Sequence, residues 1–439
     1  MKQMFFMVPT MAIGTLGSFF SHPYQGVLIY YLYAVLRPQF IWQWSLPLVA
    51  WSFYVSLCAI LATIAWRIGI LDFDGDENKL SNNIGHYSVF AFATWISLTY
   101  FTARHPEVSY PFFIEYLKMF TMFIVARYAI AYLQHVWFIY LSITITLCYI
   151  AYEVNEIYLS LGYLYVYRRG YGGLDNNGAA LMLAMGVPLC LYAWDGIRHW
   201  VRWGFLLFIP VIIHAVLTSY SRGAMLATVL CIPLFYMRCR SKKQLAIILL
   251  GIAAIMPFLA GKEIQERFFS IQQHDIDESA NSRRKSWSIA IQMATESPIV
   301  GFGIRNSNLY TYAYGADMEG RTIHSQWLQT AADSGYVALG LYLVCYVGMY
   351  LCCRRVRKAL GKRDDYDARR ARIIVNGCEG ALVLFAIGAT FLSLENFELP
   401  YILFLLAAQI WSICQATNSF TDAGQAGQAI DEQSQCEQH

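Results

Sequence analysis

His324 is the side chain of this sequence best placed to move a proton. It stands in the run Arg321-Thr322-Ile323-His324-Ser325-Gln326-Trp327. An imidazole changes charge near neutrality and suits general-base work. Upstream, Ser282-Arg283-Arg284-Lys285-Ser286-Trp287 gathers three cations, and Thr218-Ser219-Tyr220-Ser221-Arg222-Gly223-Ala224 carries another. Guanidinium forks match phosphate oxygens two at a time. A base, several cations and flanking hydroxyls point to chemistry on an anionic substrate. Each residue has a plainer reading. A lone histidine can be structural, Arg222 can anchor a helix at a membrane border, and Arg283 and Arg284 can attract anionic lipid headgroups.

Other polar groups are weaker candidates. Asp175-Asn176-Asn177-Gly178 has the form of a turn or helix cap, and it could also meet sugar hydroxyls. Glu395 and Glu398 flank a late turn. His274 lies among Asp275, Asp277 and Glu278, but the spacing fits no metal motif. His86, His105, His135, His199 and His214 are scattered and read as structural. The eleven cysteines include no CxxC or Cys/His metal spacing, so neither a disulfide framework nor a zinc site is expected.

The elements that must position these groups are membrane helices. Hydrophobic residues make up 57% of the 439 residues and charged residues 14%, and the mean hydropathy is +0.41. A soluble domain carries about 25% charged residues. Apolar runs recur at 4–20, 24–36, 47–67, 86–102, 110–130, 136–152, 177–194, 201–217, 222–237, 244–260, 336–353, 377–394 and 397–415. They show no period-2 alternation, so the expected fold class is all-α, a polytopic membrane protein of about twelve spans. The first two runs could be one interrupted element. The N-terminus has no cleavage-site pattern and reads as a retained helix.

Lys and Arg set the orientation. Arg238 to Lys243 and Arg354 to Arg372 mark the cytoplasmic side, which puts the long polar loop 261–335 on the opposite face. The expected organisation is an N-terminal bundle over 1–260, a large loop carrying the reactive groups over 261–335, further spans over 336–416 and a disordered polar tail over 417–439. An amphipathic helix is expected around Trp287, Ile289, Ala290, Met293 and Ala294, lying on or near the membrane. A short helix is expected over 326–332. No basic run is interleaved with aromatics as in a nucleic-acid groove.

These residues together resemble the O-antigen ligase / O-antigen polymerase superfamily of bacterial inner-membrane glycosyltransferases. Asp175-Asn176-Asn177-Gly178 opens a span as a comparable motif does there, and Ser221-Arg222-Gly223-Ala224 is similar to its Ser-Arg-Gly element. Arg283 and Trp287, followed by Ser297-Pro298-Ile299-Val300-Gly301-Phe302-Gly303, are similar to its Arg–Trp and Pro-x-x-Gly-x-Gly segment. His324-Ser325, nine residues and then Gly335 resemble the ligase signature. That signature often continues with Gly, Thr or Tyr where this chain has Ala338, a departure from the ligase pattern. The resemblance covers about residues 170–415. The first 150 residues resemble, more loosely, the N-terminal region of exosortase-associated O-glycosylation ligases.

The resemblance implies a donor glycan on undecaprenyl pyrophosphate and an acceptor hydroxyl on lipid A-core, both at the periplasmic face of a bacterial inner membrane. It implies His324 as catalytic base, Arg222 and Arg283 with Arg284 as pyrophosphate-binding residues, and Asp175, Asn176, Asn177 and Ser325 as candidate substrate contacts. Transfer would invert the anomeric centre with no metal and no cofactor. The partners implied are the two substrates and membrane lipids, with no nucleic acid. A polymerase or an O-linked protein oligosaccharyltransferase of the same superfamily is the nearer alternative. A transporter of lipid-linked sugars is the alternative from another class, although such proteins usually carry mid-membrane charges and repeats.

Overall fold

The computed structural model describes residues 2–73, 80–259, 278–394 and 397–416. The His274 cluster, Glu395 and the 417–439 tail lie outside the described residues. So do residues 261–277 of the long loop. Among the described residues there is no strand beyond an isolated bridge between Tyr171 and Leu174.

The helices are α1 (Lys2–Phe20), α2 (Tyr24–Leu36), α3 (Pro38–Ile41), α4 (Trp51–Arg67), α5 (Ile84–Tyr100), α6 (Pro106–Ala129), α7 (Leu133–Leu161), α8 (Tyr165–Arg169) and α9 (Asn176–Gly196). They continue as α10 (Arg202–Leu217), α11 (Arg222–Leu230), α12 (Ile232–Arg238), α13 (Lys242–Leu259), α14 (Glu278–Glu296), α15 (Asn306–Tyr310), α16 (Gln326–Leu360), α17 (Tyr366–Gly388) and α18 (Leu399–Ala416). Among the described residues seven are long and apolar enough to cross a membrane: α1, α6, α7, α9, α16, α17 and α18. Helices α4 and α10 are apolar but shorter. The chain is thus an all-helical multi-pass membrane protein by length and composition.

Several expected spans take a different form. The runs at 4–20 and 24–36 are two helices rather than one interrupted element. The turn after α1 leads directly into α2, and Thr10 of α1 bonds Tyr33 of α2 at 2.6 Å. The 222–237 run is broken at Cys231 into α11 and α12, where Pro233 cannot continue the hydrogen-bond ladder. Helix α17 begins at Tyr366 rather than near 377, because its basic first turns are capped by Asp365.

Helix α9 is the centre of the bundle, with every residue from Gly178 to Trp194 buried. Its partner α17 approaches closely through small residues. A Cβ on Gly380 would press on Pro188 at 2.8 Å, the kind of close contact that holds membrane helices together.

The bundle has two polar ends. At one, Arg238 and Arg357 both bond the buried Glu379, at 2.8 and 2.9 Å, and Arg198 and Arg240 meet Asp364. At the other, the helix heads at Asp175, Ser221 and Ser325 come together with α14.

Candidate functional site

The His324 end is built from five segments, each fixed by its own local chemistry. The first is the head of α9. Tyr171 and Leu174 exchange backbone hydrogen bonds at 3.0 and 2.9 Å across Gly172 and Gly173, both at positive φ. This tight turn delivers Asp175, whose Oδ1 accepts from the Gly178 N–H at 2.7 Å and caps α9. Asn177 donates to Asn176 Oδ1 at 3.3 Å.

The second segment is the head of α11. Asn176 Nδ2 donates to the Ser219 carbonyl at 3.1 Å and ties this segment to α9. Tyr220 sits at φ 55, an uncommon left-handed turn for a bulky residue. Ser221 then caps α11 by accepting from Ala224 N. Half-buried Arg222 is therefore the first residue of the helix. A cation there adds to the positive end of the helix dipole instead of offsetting it, so helix stability does not explain its placement.

The third segment is α14. The expected amphipathic helix is present, but its apolar face is covered by protein. Ile289, Ala290 and Met293 form a small core with Phe302, Ile323 and Ala332. Arg283 is half-buried. Arg284 is exposed and donates to Asn281 on its own helix. Trp287 Nε1 donates to the His324 carbonyl at 3.4 Å, and its ring lies 6.2 Å from that of Phe391.

The fourth segment carries His324. His324 is at φ 55. Such backbone costs of order 1–3 kcal/mol and gathers at functional sites. The next residue, Ser325, is buried and caps α16 by accepting from Leu328 N. Gln326 N donates to the Ala389 carbonyl at 2.8 Å. Burial holds His324 below the ordinary imidazole range, reinforced by the Arg283 and Arg321 charges and opposed by Asp175. His324 is accordingly neutral at pH 7 and able to accept a proton.

The fifth segment is the turn after α17. Gly223 packs on Phe391 at a distance where a Cβ would be 3.4 Å away. Phe391 thereby touches the Arg222 segment on one side and Trp287 on the other. Sequence reading missed it, since a phenylalanine beside an apolar span gives no signal of its own.

The Pro-x-x-Gly-x-Gly segment proves to be architecture. Helix α16 is kinked at Gly335, φ 82. Residues 298–303 dock against that kink, with Phe302 N on the Ala332 carbonyl at 3.0 Å, Gly303 N on the Asp333 carbonyl at 2.8 Å and Tyr336 N on the Pro298 carbonyl at 2.7 Å. A Cβ on Gly301 would overlap the Asp333 backbone. The buried Asp333 carboxylate accepts from Ser307 N at 3.1 Å and Gln329 Nε2 at 2.8 Å. The 298–303 turn thus replaces hydrogen bonds that the kink frees and braces the short helix starting at Gln326.

Of the residues singled out in the sequence, Arg283 and Asp175 are each within electrostatic reach of His324. Arg222 joins them through Phe391 and Asn176. Ser325, Asn176 and Asn177 are engaged in caps and ties. Arg284 points its bond along its own helix. Arg321, which sequence reading passed over, acts on His324. The available signal was its four-residue spacing from Asp317, with which it pairs at 3.4 Å. Among the described residues no group of three or more His, Cys, Asp or Glu could hold a metal ion.

Residues 206–343 match the family model described as O-antigen ligase. The match includes Arg222, Arg283, Arg321 and His324, and leaves Asp175 and Phe391 outside it. No curated protein matches the chain.

Proposed function

We propose, for a chain that belongs to the O-antigen ligase/polymerase superfamily, the activity of an O-antigen ligase. It would transfer a glycan from undecaprenyl pyrophosphate to a sugar hydroxyl of lipid A-core, at the periplasmic face of a bacterial inner membrane. The observation that carries this reading is the placing of one neutral, half-buried imidazole beside Arg283, with Arg222 at the head of α11 on the far side of Phe391 and Trp287.

In this reading the acceptor hydroxyl oxygen attacks the anomeric carbon while His324 takes its proton. The bond from the anomeric carbon to the phosphate oxygen breaks, and its electron pair leaves with undecaprenyl pyrophosphate. Attack opposite the leaving group inverts the anomeric centre. Arg222 and Arg283 hold the pyrophosphate and offset the charge developing on it. Arg284 adds positive potential at longer range. Asp175 steadies the imidazolium that forms, because a carboxylate within reach favours the charged histidine. The pyrophosphate is a good leaving group, so the residues supply positioning and charge without a metal or a cofactor. The loop-bearing end faces the periplasm in this account, as the basic end with Arg238, Arg240 and Arg357 suits the cytoplasm.

One feature favours a second reading. Ala338 stands where the ligase signature often has Gly, Thr or Tyr, which suits a polymerase or an O-linked protein oligosaccharyltransferase of the same superfamily. The test is acceptor choice. Purified protein is given undecaprenyl-pyrophosphate glycan with rough lipopolysaccharide, with extra lipid-linked glycan, or with a Ser/Thr-rich protein. A ligase adds the glycan to lipopolysaccharide. Elongated lipid-linked glycan or a glycosylated protein, with lipopolysaccharide unchanged, would move the assignment to the corresponding alternative.

A further inference from the structure

Arg321 lies three residues before His324 and links two parts of the site. Its Nη2 donates to the hydroxyl of Ser282, the residue just before Arg283 on α14. Its Nη1 lies 3.4 Å from Asp317 Oδ2. The Asp317 side chain is 56% exposed against 24% for Arg321. Water therefore screens the carboxylate more than the guanidinium, and the ion pair leaves much of the Arg321 field in place at the imidazole. Its Nε is buried without a hydrogen-bond partner, so the side chain is held by its two ends.

We propose that Arg321 is a positioning residue of the transfer site: it clamps the turn bearing His324 to the helix bearing Arg283 and adds a second fixed positive charge beside the imidazole. This rests on the reading of His324 as the base. Among the described residues, the charged groups that act on His324 are Asp175 at the head of α9, Arg283 on α14 and Arg321 on the turn itself, with Asp317 paired to Arg321. Glu395 lies outside the described residues. Arg283 and Arg321 both disfavour protonation of His324, and Asp175 favours it. Removing Arg321 therefore makes His324 easier to protonate. Removing Ser282 loosens the clamp and leaves the charge.

The experiment uses the full-length protein in detergent as wild type, Arg321→Gln, Arg321→Lys and Ser282→Ala. The protonation of His324 is read directly from the pH dependence of its carbethoxylation, followed by peptide mass spectrometry. Glycan transfer is measured on the same samples. The expected result is a His324 midpoint moved to higher pH in Arg321→Gln and unmoved in Arg321→Lys and Ser282→Ala. Transfer at pH 7 should fall roughly tenfold or more in all three, as a displaced catalytic group requires. An unmoved midpoint in Arg321→Gln, or wild-type transfer in that variant, overturns the proposal. The carbethoxylation needs no turnover. If the wild type transfers nothing while the Arg321→Gln midpoint still moves, the charge beside His324 stands, and the transfer reading falls together with the clamp's part in it.

Discussion

The indole N–H of Trp287 donates to the backbone carbonyl of His324 at 3.4 Å. This bond joins α14, which carries Arg283, to the left-handed turn that carries His324. The Trp287 ring also leans on Phe391, which packs against Gly223 beside Arg222. Trp287 therefore links the His324 turn, through Phe391, to the segment that begins α11.

Trp287→Phe keeps the ring contact and loses the bond, while Trp287→Ala loses both. Transfer is expected to fall a few-fold in the first and roughly a hundredfold in the second, the loss that about 1 Å of misplacement can cause. Steady-state kinetics on the two variants checks this. Equal rates in both would show that Phe391 and Trp287 do not position the base.

The pH profile follows from the charges at His324. Burial, Arg283 and Arg321 lower its pKa, and Asp175 opposes them. In the free protein, kcat/KM should rise with pH to a plateau, with its midpoint below 6.5, the ordinary value of an imidazole. Bound pyrophosphate brings negative charge beside the imidazole and favours its charged form. The midpoint of kcat should therefore lie above that of kcat/KM. Rate profiles over pH 5–8 measure both, and the reverse order would contradict a base placed beside the donor phosphates.

Adjacent arginines should behave differently. Arg283 is half-buried and acts on His324, whereas Arg284 is exposed and bonded to Asn281. Arg283→Gln is expected to lower kcat/KM by roughly a hundredfold, comparable to loss of a transition-state donor. Arg284→Gln should lower it less than about tenfold, with the loss diminishing as salt screens its field. Kinetics at low and high ionic strength separate the two.

Much of the fold could be read from the sequence, because apolar runs of bilayer length dictate helices. The kink in α16 was also half-visible, since a short helix over 326–332 and a span from 336 were expected on either side of Gly335. Local composition could not show that α1 and α2 pair as a hairpin, which depends on Tyr33 reaching Thr10. The break of α11 at Cys231 did have a signal, Pro233 within the apolar run, which hydropathy by itself does not register. In the candidate site, the chemistry of His324, Arg222 and Arg283 singled them out from sequence. Phe391 and Arg321 were not singled out, because a turn phenylalanine and a loop arginine gain meaning only from what they touch. Asp175 read both as a cap and as a candidate substrate contact, and Ser325 as a candidate contact, because polar residues at helix heads serve both purposes.

Gly335 tests the architecture behind the site. Its φ of 82 and the crowding of a Cβ by the Ile299 carbonyl make alanine costly there. The left-handed backbone alone costs about 1–2 kcal/mol for a non-glycine residue, and the overlap adds to it. Gly335→Ala should unfold at lower temperature in detergent and release the 298–303 segment to protease. Unchanged melting and cleavage would mean that this docking does not support the short helix after His324.

The most direct measurement is transfer by purified protein in EDTA, with undecaprenyl-pyrophosphate glycan and rough lipopolysaccharide, comparing wild type with His324→Asn. Asparagine tolerates the left-handed turn but cannot take up a proton at neutral pH, so the fold is kept and the base is lost. The account predicts glycan-bearing lipopolysaccharide from the wild type and a loss of roughly 10²–10⁴-fold in the variant. Wild-type transfer by His324→Asn, with melting unchanged, would contradict the assignment of His324 as the base.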